Sequence, residues 1–274
     1  MMIPFHKLHG AKNDFLLTAV ADLPQGLDFP AVAIAICDRY TGVGADGWML
    51  VEMAPVGSDI DSMIRLFNPD GSEAELSGNG TRCAAAVAAE HSPERSEFRI
   101  LTGAGVKHLR VIERRALEIE FEMDMGEIQV IDGQARVQGR HAVILDVGNP
   151  QCAFPVDDFD FDWRAVGATT ERDPRFPNRT NVSFVRRVDA HTLDVRFWER
   201  GAGETNSSGT GSTGAATAGI ALGMVASPVT VETPAGPLKI RFDHTVPEFR
   251  GVFLTGPAAF VAEGIYHYGR MMEE

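Results

Sequence analysis

The sequence predicts an α+β fold of two pseudo-symmetric lobes, each a curved antiparallel sheet wrapped around a central helix. Three observations carry that expectation. The segment Leu76-Ser77-Gly78-Asn79-Gly80-Thr81 has a counterpart in Ser207-Ser208-Gly209-Thr210-Gly211-Ser212. A single shift of 131 residues carries Ser77 onto Ser208, Arg65 onto Arg196, Glu73 onto Glu204, Ala84 and Ala85 onto Ala215 and Ala216, and Thr102, Ala104 and Gly105 onto Thr233, Ala235 and Gly236. One gapless register that matches Arg, Glu and Thr as well as the common glycines is the mark of an internal duplication. Finally, short runs of alternating apolar and polar residues, bounded by Gly, Pro or Asp, recur along the chain as half-buried strands do.

Those runs are Met63 to Asn68, Val106 to Ile112, Leu117 to Phe121, His141 to Val147, Asn181 to Arg186, Thr192 to Trp198 and Leu238 to Phe242. The alanine-rich stretches Thr81 to His91 and Ser212 to Gly223 suit helices, each with a Gly-x-Gly at its start. A third helix is expected around Pro30 to Tyr40, and a fourth over Asp162 to Thr169 within the Asp-, Pro- and Arg-rich stretch Phe154 to Pro177. The duplication places an N-terminal lobe at residues 1–116 and a C-terminal lobe at 117–261, with residues 262–274 able to cross back to the first lobe.

Composition narrows the function. A chain of 274 residues that is 44% hydrophobic can bury a full core. Its net charge of −13 comes without a Lys/Arg cluster, which argues against nucleic acid. No unbroken apolar stretch is long enough for a membrane helix. Pro4, His6 and Lys7 interrupt any early apolar run, so no signal peptide is expected. Cys37, Cys83 and Cys152 are too few and too scattered for a disulfide framework, which makes the cytoplasm the expected compartment. The eight histidines show no metal-ligand spacing, so no metal is expected. The sequence leaves room for a homodimer.

The repeated element carries the chemistry. Glycines let a backbone approach a ligand closely. The first amides of a helix lack internal partners, and the helix dipole is positive there, so a carboxylate fits that place. Two such elements would hold one small anionic ligand from both sides, with Ser77 and Ser208 pointing at it. The serines also suit helix N-caps, a role compatible with ligand contact.

At this point a resemblance becomes specific. His9-Gly10-Ala11-Lys12-Asn13-Asp14-Phe15, Tyr40-Thr41-Gly42-Val43-Gly44-Ala45-Asp46-Gly47, and Arg65 through Glu73 leading into Ser77-Gly78-Asn79-Gly80-Thr81-Arg82-Cys83 follow one another in order. Gly148-Asn149-Pro150, Asn181-Val182 and Glu199-Arg200-Gly201-Ala202-Gly203-Glu204-Thr205 complete the set before Ser208-Gly209-Thr210-Gly211. Over essentially its whole length the chain resembles the diaminopimelate epimerases, within the wider group that includes proline racemases. The resemblance implies a cofactor-independent inversion at an amino-acid α-carbon in lysine and peptidoglycan precursor synthesis, performed by two cysteines on opposite faces. A thiol suits both protonation states near neutrality. It further implies that Asn13, Asn68, Asn149 and Asn181 bind substrate polar groups, and that Glu199 and Arg200 hold its distal end and tune one catalytic group. Gly78, Asn79, Gly209 and Thr210 would offer amides to the reacting carboxylate.

The departures fall on the reacting positions. Ser77 and Ser208 stand where the family has its cysteines, Gln151 where it usually has histidine, and Gly47 where it often has glutamine. Serine needs an adjacent base, for which Glu199 and Asp70 are the candidates. Three explanations stay open: serines introduced to trap an inactive form, a paralogue with changed chemistry (another amino-acid racemase, a dehydratase or a double-bond isomerase), and an amino-acid-binding protein without turnover.

Overall fold

Two serines set the register of the two central helices. Ser77 has extended backbone angles (φ −130°, ψ 118°) and its hydroxyl accepts the Gly80 N–H at 3.1 Å. Ser208 does the same (φ −139°, ψ 122°) with the Gly211 N–H at 3.1 Å. An N-cap of this kind is worth about 1 kcal/mol. In the computed structural model, which describes residues 1–55, 57–246 and 248–269, the helices are therefore α2 (Gly78–His91) and α4 (Gly209–Ala221). Each begins three residues before the alanine-rich stretch, because the glycines enter the helix behind their cap. Both are buried along almost their whole length, from Gly78 to Ala89 and from Gly209 to Gly219. Alanine and glycine suit that place, since small side chains let strands pass close on every side.

The chain forms two compact units. The first is Met1–Met123 with the chain from Pro257 on, and the second is Asp124–Gly256. Residues 270–274 of the expected returning segment lie outside the described residues.

In the first unit the elements are β1 (Met2–Gly10), β2 (Asn13–Ala19), α1 (Phe29–Cys37), β3 (Gly47–Met53), β4 (Ser62–Phe67), β5 (Glu73–Ala74), α2, β6 (Glu97–Thr102), β7 (Gly105–Arg115) and the start of β8 (Glu118–Val137). The far half of β16 (Phe249–His267) pairs antiparallel with β1, from Met2 with His267 to His9 with Ala259. The pairs β1–β2, β3–β4 and β6–β7 are antiparallel, whereas β2–β3 and β4–β6 are parallel. A core of Ile3, Leu16, Val32, Ile36, Trp48 and Phe67 packs between α1 and the sheet. Asp38 ends α1 short of Tyr40, because its carboxylate accepts the N–H groups of Tyr40 and Thr41 (2.8 and 2.6 Å) and turns the chain. Gly42 fits there because a Cβ would lie 2.3 Å from the Ala35 carbonyl oxygen.

The second unit repeats the plan. Its elements are the rest of β8, β9 (Arg140–Asp146), β10 (Pro150–Val156), α3 (Trp163–Glu171), β11 (Asn181–Arg187), β12 (Thr192–Glu199), β13 (Gly203–Thr205), α4, β14 (Val229–Thr233), β15 (Gly236–His244) and the start of β16. Here β10–β11 and β12–β14 are the parallel pairs, in the positions of β2–β3 and β4–β6, and the pairs β9–β10, β11–β12 and β14–β15 are antiparallel. Phe154 stacks on Phe184 (centroids 5.4 Å apart) beneath α3, whose cap Asp162 accepts the Ala165 N–H at 3.0 Å. The duplication thus reaches strand direction as well as sequence. Among the described residues no helix is long and apolar enough to cross a membrane.

Candidate active site

Each unit gathers a polar cluster at the first turn of its buried helix. In the first unit the Thr81 N–H makes the first intrahelical bond, to the Ser77 carbonyl at 2.8 Å, so the amides of Gly78 and Asn79 precede the hydrogen-bonded ladder. Asn79 donates through Nδ2 to Asn13 Oδ1 at 3.2 Å, and Asn13 donates through Nδ2 to Asp46 Oδ2 at 2.8 Å. Arg39 bridges Asp46 and Asp14 (both 2.7 Å), and Lys7 reaches Asp14 at 3.0 Å. Burial alone would raise the Asp14 carboxyl, but the hydrogen bonds and charges of Arg39 and Lys7 outweigh it and hold Asp14 below the ordinary carboxylate range. At the other end, the Arg82 guanidinium donates to Asn79 Oδ1.

In the second unit the Ser212 N–H bonds the Ser208 carbonyl at 2.9 Å, so the amides of Gly209 and Thr210 occupy the same place. Asn149 donates to Thr210 Oγ1 at 3.4 Å and accepts from Gln151 Nε2 at 2.7 Å. Thr210 is the repeat partner of Asn79, so each unit has an asparagine on the second residue of its helix. That asparagine is held from behind by Asp46 in one unit and by Gln151 in the other. Gln151 is 1% exposed, and its Oε1 has no hydrogen-bond partner among the described residues.

The two serines differ in their surroundings. The Ser208 hydroxyl donates to Glu199 Oε1 at 2.6 Å while accepting the Gly211 N–H. Ser77 accepts from Gly80 in the same way, with no carboxylate in hydrogen-bond reach among the described residues. The shift of 131 explains the difference: Glu199 corresponds to Asn68. Asn68 donates to Ser72 Oγ at 2.9 Å within its own turn. Asp70 serves that turn too, accepting the Ser72 hydroxyl at 2.6 Å and its N–H at 2.9 Å. Of the two candidate bases the sequence offered, Glu199 sits on a serine and Asp70 does not.

Asn181 lies beside Gln151 in the β10–β11 register. Its Oδ1 accepts the Arg200 N–H at 3.0 Å, and its Nδ2 donates to the Pro150 carbonyl at 3.2 Å. The Arg200 guanidinium donates to the Asn178 carbonyl at 3.1 Å. The structure therefore gathers Ser77, Gly78, Asn79 and Asn13 in one unit, and Ser208, Glu199, Asn149, Thr210, Gly209, Asn181 and Arg200 in the other. Asn68 is tied to its own turn by Ser72.

Three supporting residues escaped the sequence reading. Asp46 orients Asn13, and Arg82 anchors Asn79. Glu171, 3% exposed, accepts the Gly201 N–H at 3.0 Å and the Trp198 indole N–H at 3.0 Å, so it braces the turn that carries Glu199 and Arg200. Burial raises the Glu171 carboxyl, but those two hydrogen bonds and the Arg179 and Arg172 charges together hold it below its ordinary value. None was marked by periodicity; Asp46 and Arg82 lay inside quoted motifs without a partner to give them a role.

The cysteines are spectators. All three are buried and free, and burial pushes each thiol up to about 12. A groove in the first unit, about 490 Å³ between Leu50, Met63, Arg65, Glu73 and Leu101, contains none of the gathered residues.

Comparison with known proteins agrees with this frame. The sequence model of the family described as diaminopimelate epimerase matches residues 5–131 and 143–261. A diaminopimelate epimerase from Pelotomaculum thermopropionicum is 36% identical, over 96% of this chain and 99% of its own. Among solved structures, a PhzF-family phenazine biosynthesis protein from Bacillus anthracis superposes with a TM-score of 0.74 at 16% identity, covering 97% of this chain and 99% of that one. A hydroxyproline epimerase from Agrobacterium vitis, solved with trans-4-hydroxy-L-proline, gives 0.68 at 12% identity, over 96% of this chain and 90% of that one. These structural likenesses establish the shared fold. The sequence matches establish more: the chain is an isomerase of the racemase and epimerase type, and it belongs to the diaminopimelate epimerase family.

Proposed function

We propose that the protein labilises the α-proton of an amino acid without a cofactor, with diaminopimelate as the first substrate to examine. The observation that carries this is the 2.6 Å hydrogen bond from Ser208 to Glu199 at the first turn of α4. A serine hydroxyl is a poor base alone, and an adjacent carboxylate is what activates it. In the step we propose, Ser208 Oγ takes the α-proton as its own proton passes to Glu199 Oε1. The electron pair left on carbon is delocalised into the substrate carboxylate, and helix-start amides stabilise that growing charge as an oxyanion hole does. Gly209 and Thr210, or Gly78 and Asn79, would supply the amides. Asn13, Asn68, Asn149, Asn181 and Arg200 would recognise the remaining polar groups.

A second reading follows from the asymmetry. Inversion needs a proton donor on each face, and Ser77 lacks the carboxylate that Ser208 has. One-base chemistry, such as proton exchange with retention, dehydration or a double-bond shift, needs only the Ser208–Glu199 pair.

Proton NMR of LL-diaminopimelate and a panel of single amino acids in deuterium oxide tests both readings. Loss of the α-proton signal supports carbanion chemistry and identifies the substrate, and chiral analysis of the same sample separates inversion from one-base exchange. Saturable binding without exchange would leave an amino-acid-binding protein.

A further inference from the structure

Arg82 is the most unusual charge in the described chain. It is 0% exposed, and no carboxylate lies within ion-pair distance of it among the described residues. Its three contacts are to uncharged acceptors: Nε donates to the Pro257 carbonyl at 3.2 Å, Nη1 to the Gly78 carbonyl at 3.3 Å, and Nη2 to Asn79 Oδ1. Burial pushes the guanidinium down to about 10, so it keeps its proton at neutral pH. Other arginines of this unit, Arg39, Arg65 and Arg95, pair with acids at 2.7 to 2.9 Å. Burying a cation without a counter-charge is destabilising, and simple packing does not require one.

The position gives the reason. Side chains on a helix lean toward its N-terminus, so Arg82 reaches back along α2 to the first turn. There its charge adds to the positive end of the helix dipole. It also fixes a direction. Arg82 can only donate, so Asn79 must present Oδ1 to it and Nδ2 to Asn13. Asp46 can only accept when ionised, so Asn13 must present Nδ2 to it and Oδ1 to Asn79. The chain Arg82–Asn79–Asn13–Asp46 is thereby polarised from cation to anion, and neither amide can flip without placing two donors or two acceptors together. Close packing confirms the tight fit, since a Cβ on Gly10 would lie 3.2 Å from Arg82 Nη2 and 3.1 Å from the Asn79 carbonyl oxygen.

We infer that Arg82 is the buried counter-charge and positioning residue of a carboxylate subsite at the start of α2. A carboxylate received by the Gly78 and Asn79 amides compensates the buried charge, and Arg82 in turn holds Asn79 and Asn13 in the orientation the ligand meets. This rests on the proposed reading that a carboxylate substrate binds there, and it adds a residue that acts through Asn79 without touching the substrate.

The test uses the full chain with three probes, LL-diaminopimelate, L-alanine and sodium pyruvate, read by calorimetric affinity and by ligand-induced rise in Tm. Arg82→Gln keeps a donor for Asn79 but removes the charge. Its affinity for the carboxylate that wild type binds is expected to fall about tenfold or more, and the ligand-induced rise in Tm should shrink. Arg82→Lys keeps the charge and should keep most of the affinity. A merely structural role would lower the Tm of the ligand-free protein in both variants and leave affinity and the ligand-induced rise unchanged, which would overturn the inference. Should Arg82→Gln fail to fold, wild type labelled with 15N-arginine decides. The slowly exchanging Arg82 Nε–H, assigned by its loss in Arg82→Lys, has to shift on saturation, and an unmoved resonance overturns the inference. Wild type that ignores LL-diaminopimelate but binds another probe removes the substrate reading and leaves the inference to be decided on that probe. Wild type that binds none of the three overturns both.

Discussion

Ser208 and Glu199 are joined by a 2.6 Å hydrogen bond, while at the repeat-related positions Ser77 and Asn68 are not bonded to each other. At positions the repeat makes equivalent, Glu199 in one unit and Asn68 in the other leave a carboxylate bonded to one serine hydroxyl and not to the other. Ser208→Ala and Glu199→Gln are therefore expected to lower α-proton exchange by about 100-fold or more, the usual range for losing a general base. Ser77→Ala should cost much less in exchange and should act on inversion instead. Parallel measurement of deuterium incorporation and of optical inversion for the three variants checks this.

Thiols at the same two positions would change the acid–base match. A thiol's pKa lies near 8.5, far closer to neutrality than a hydroxyl's. Ser77→Cys combined with Ser208→Cys is expected to raise epimerisation of LL-diaminopimelate by about tenfold or more at neutral pH. The chiral amino-acid assay reads it, and a double variant that binds the substrate yet stays inert would show that the surrounding site has diverged as well.

Gly211 is fixed by space. A Cβ there would lie 2.8 Å from Ser208 Oγ and 2.9 Å from Phe197 Cδ1. Alanine favours a helix over glycine by about 1 kcal/mol, but overpacking of this kind costs about 1–3 kcal/mol. Gly211→Ala is thus expected to lower stability slightly and activity strongly, because the group displaced is the Ser208 hydroxyl. Denaturant unfolding beside the exchange assay separates the two effects.

Glu171 predicts an acid sensitivity. Its folded carboxyl lies below the ordinary value of 4.5, so the unfolded chain takes up its proton first as pH falls. Its contribution to stability is full above about 4.5 and is lost as pH drops through the lower folded value. Glu171→Gln should be less stable than wild type at neutral pH, and that difference should shrink below pH 4.5. Melting curves of both proteins across pH 3 to 7 (about four units of span) give the comparison.

How much of this was legible beforehand depended on whether the signal was local. The duplication, the serine caps and the alanine-rich helices were visible, because caps and repeats are written in adjacent residues. The alanine-rich stretches mark the helices from three residues after their true starts, since alanine marks the body of a helix while the capped first turn is made of glycine, Asn79 and Thr210. The parallel pairs β2–β3 and β4–β6 were not anticipated: alternation tells which faces are buried and nothing about the direction of the neighbouring strand. Asn13, Asn79, Asn149 and Thr210 came from the family pattern, and their pairing came from the fold. Arg82, Asp46 and Glu171 stayed hidden for the same reason, since each acts on a residue brought near only by folding.

The pairing of β1 with β16 orders events during synthesis. The strand Met2–Gly10 meets its β16 partner only when residues 259–267 have been made. The second unit, a continuous stretch from Asp124 to Gly256, is complete before then. The cluster around Ser208 and Glu199 can therefore form on a nascent chain whose first unit still lacks the neighbour of β1. Arg82 shares that wait, because the Pro257 carbonyl that receives its Nε–H belongs to the same late segment.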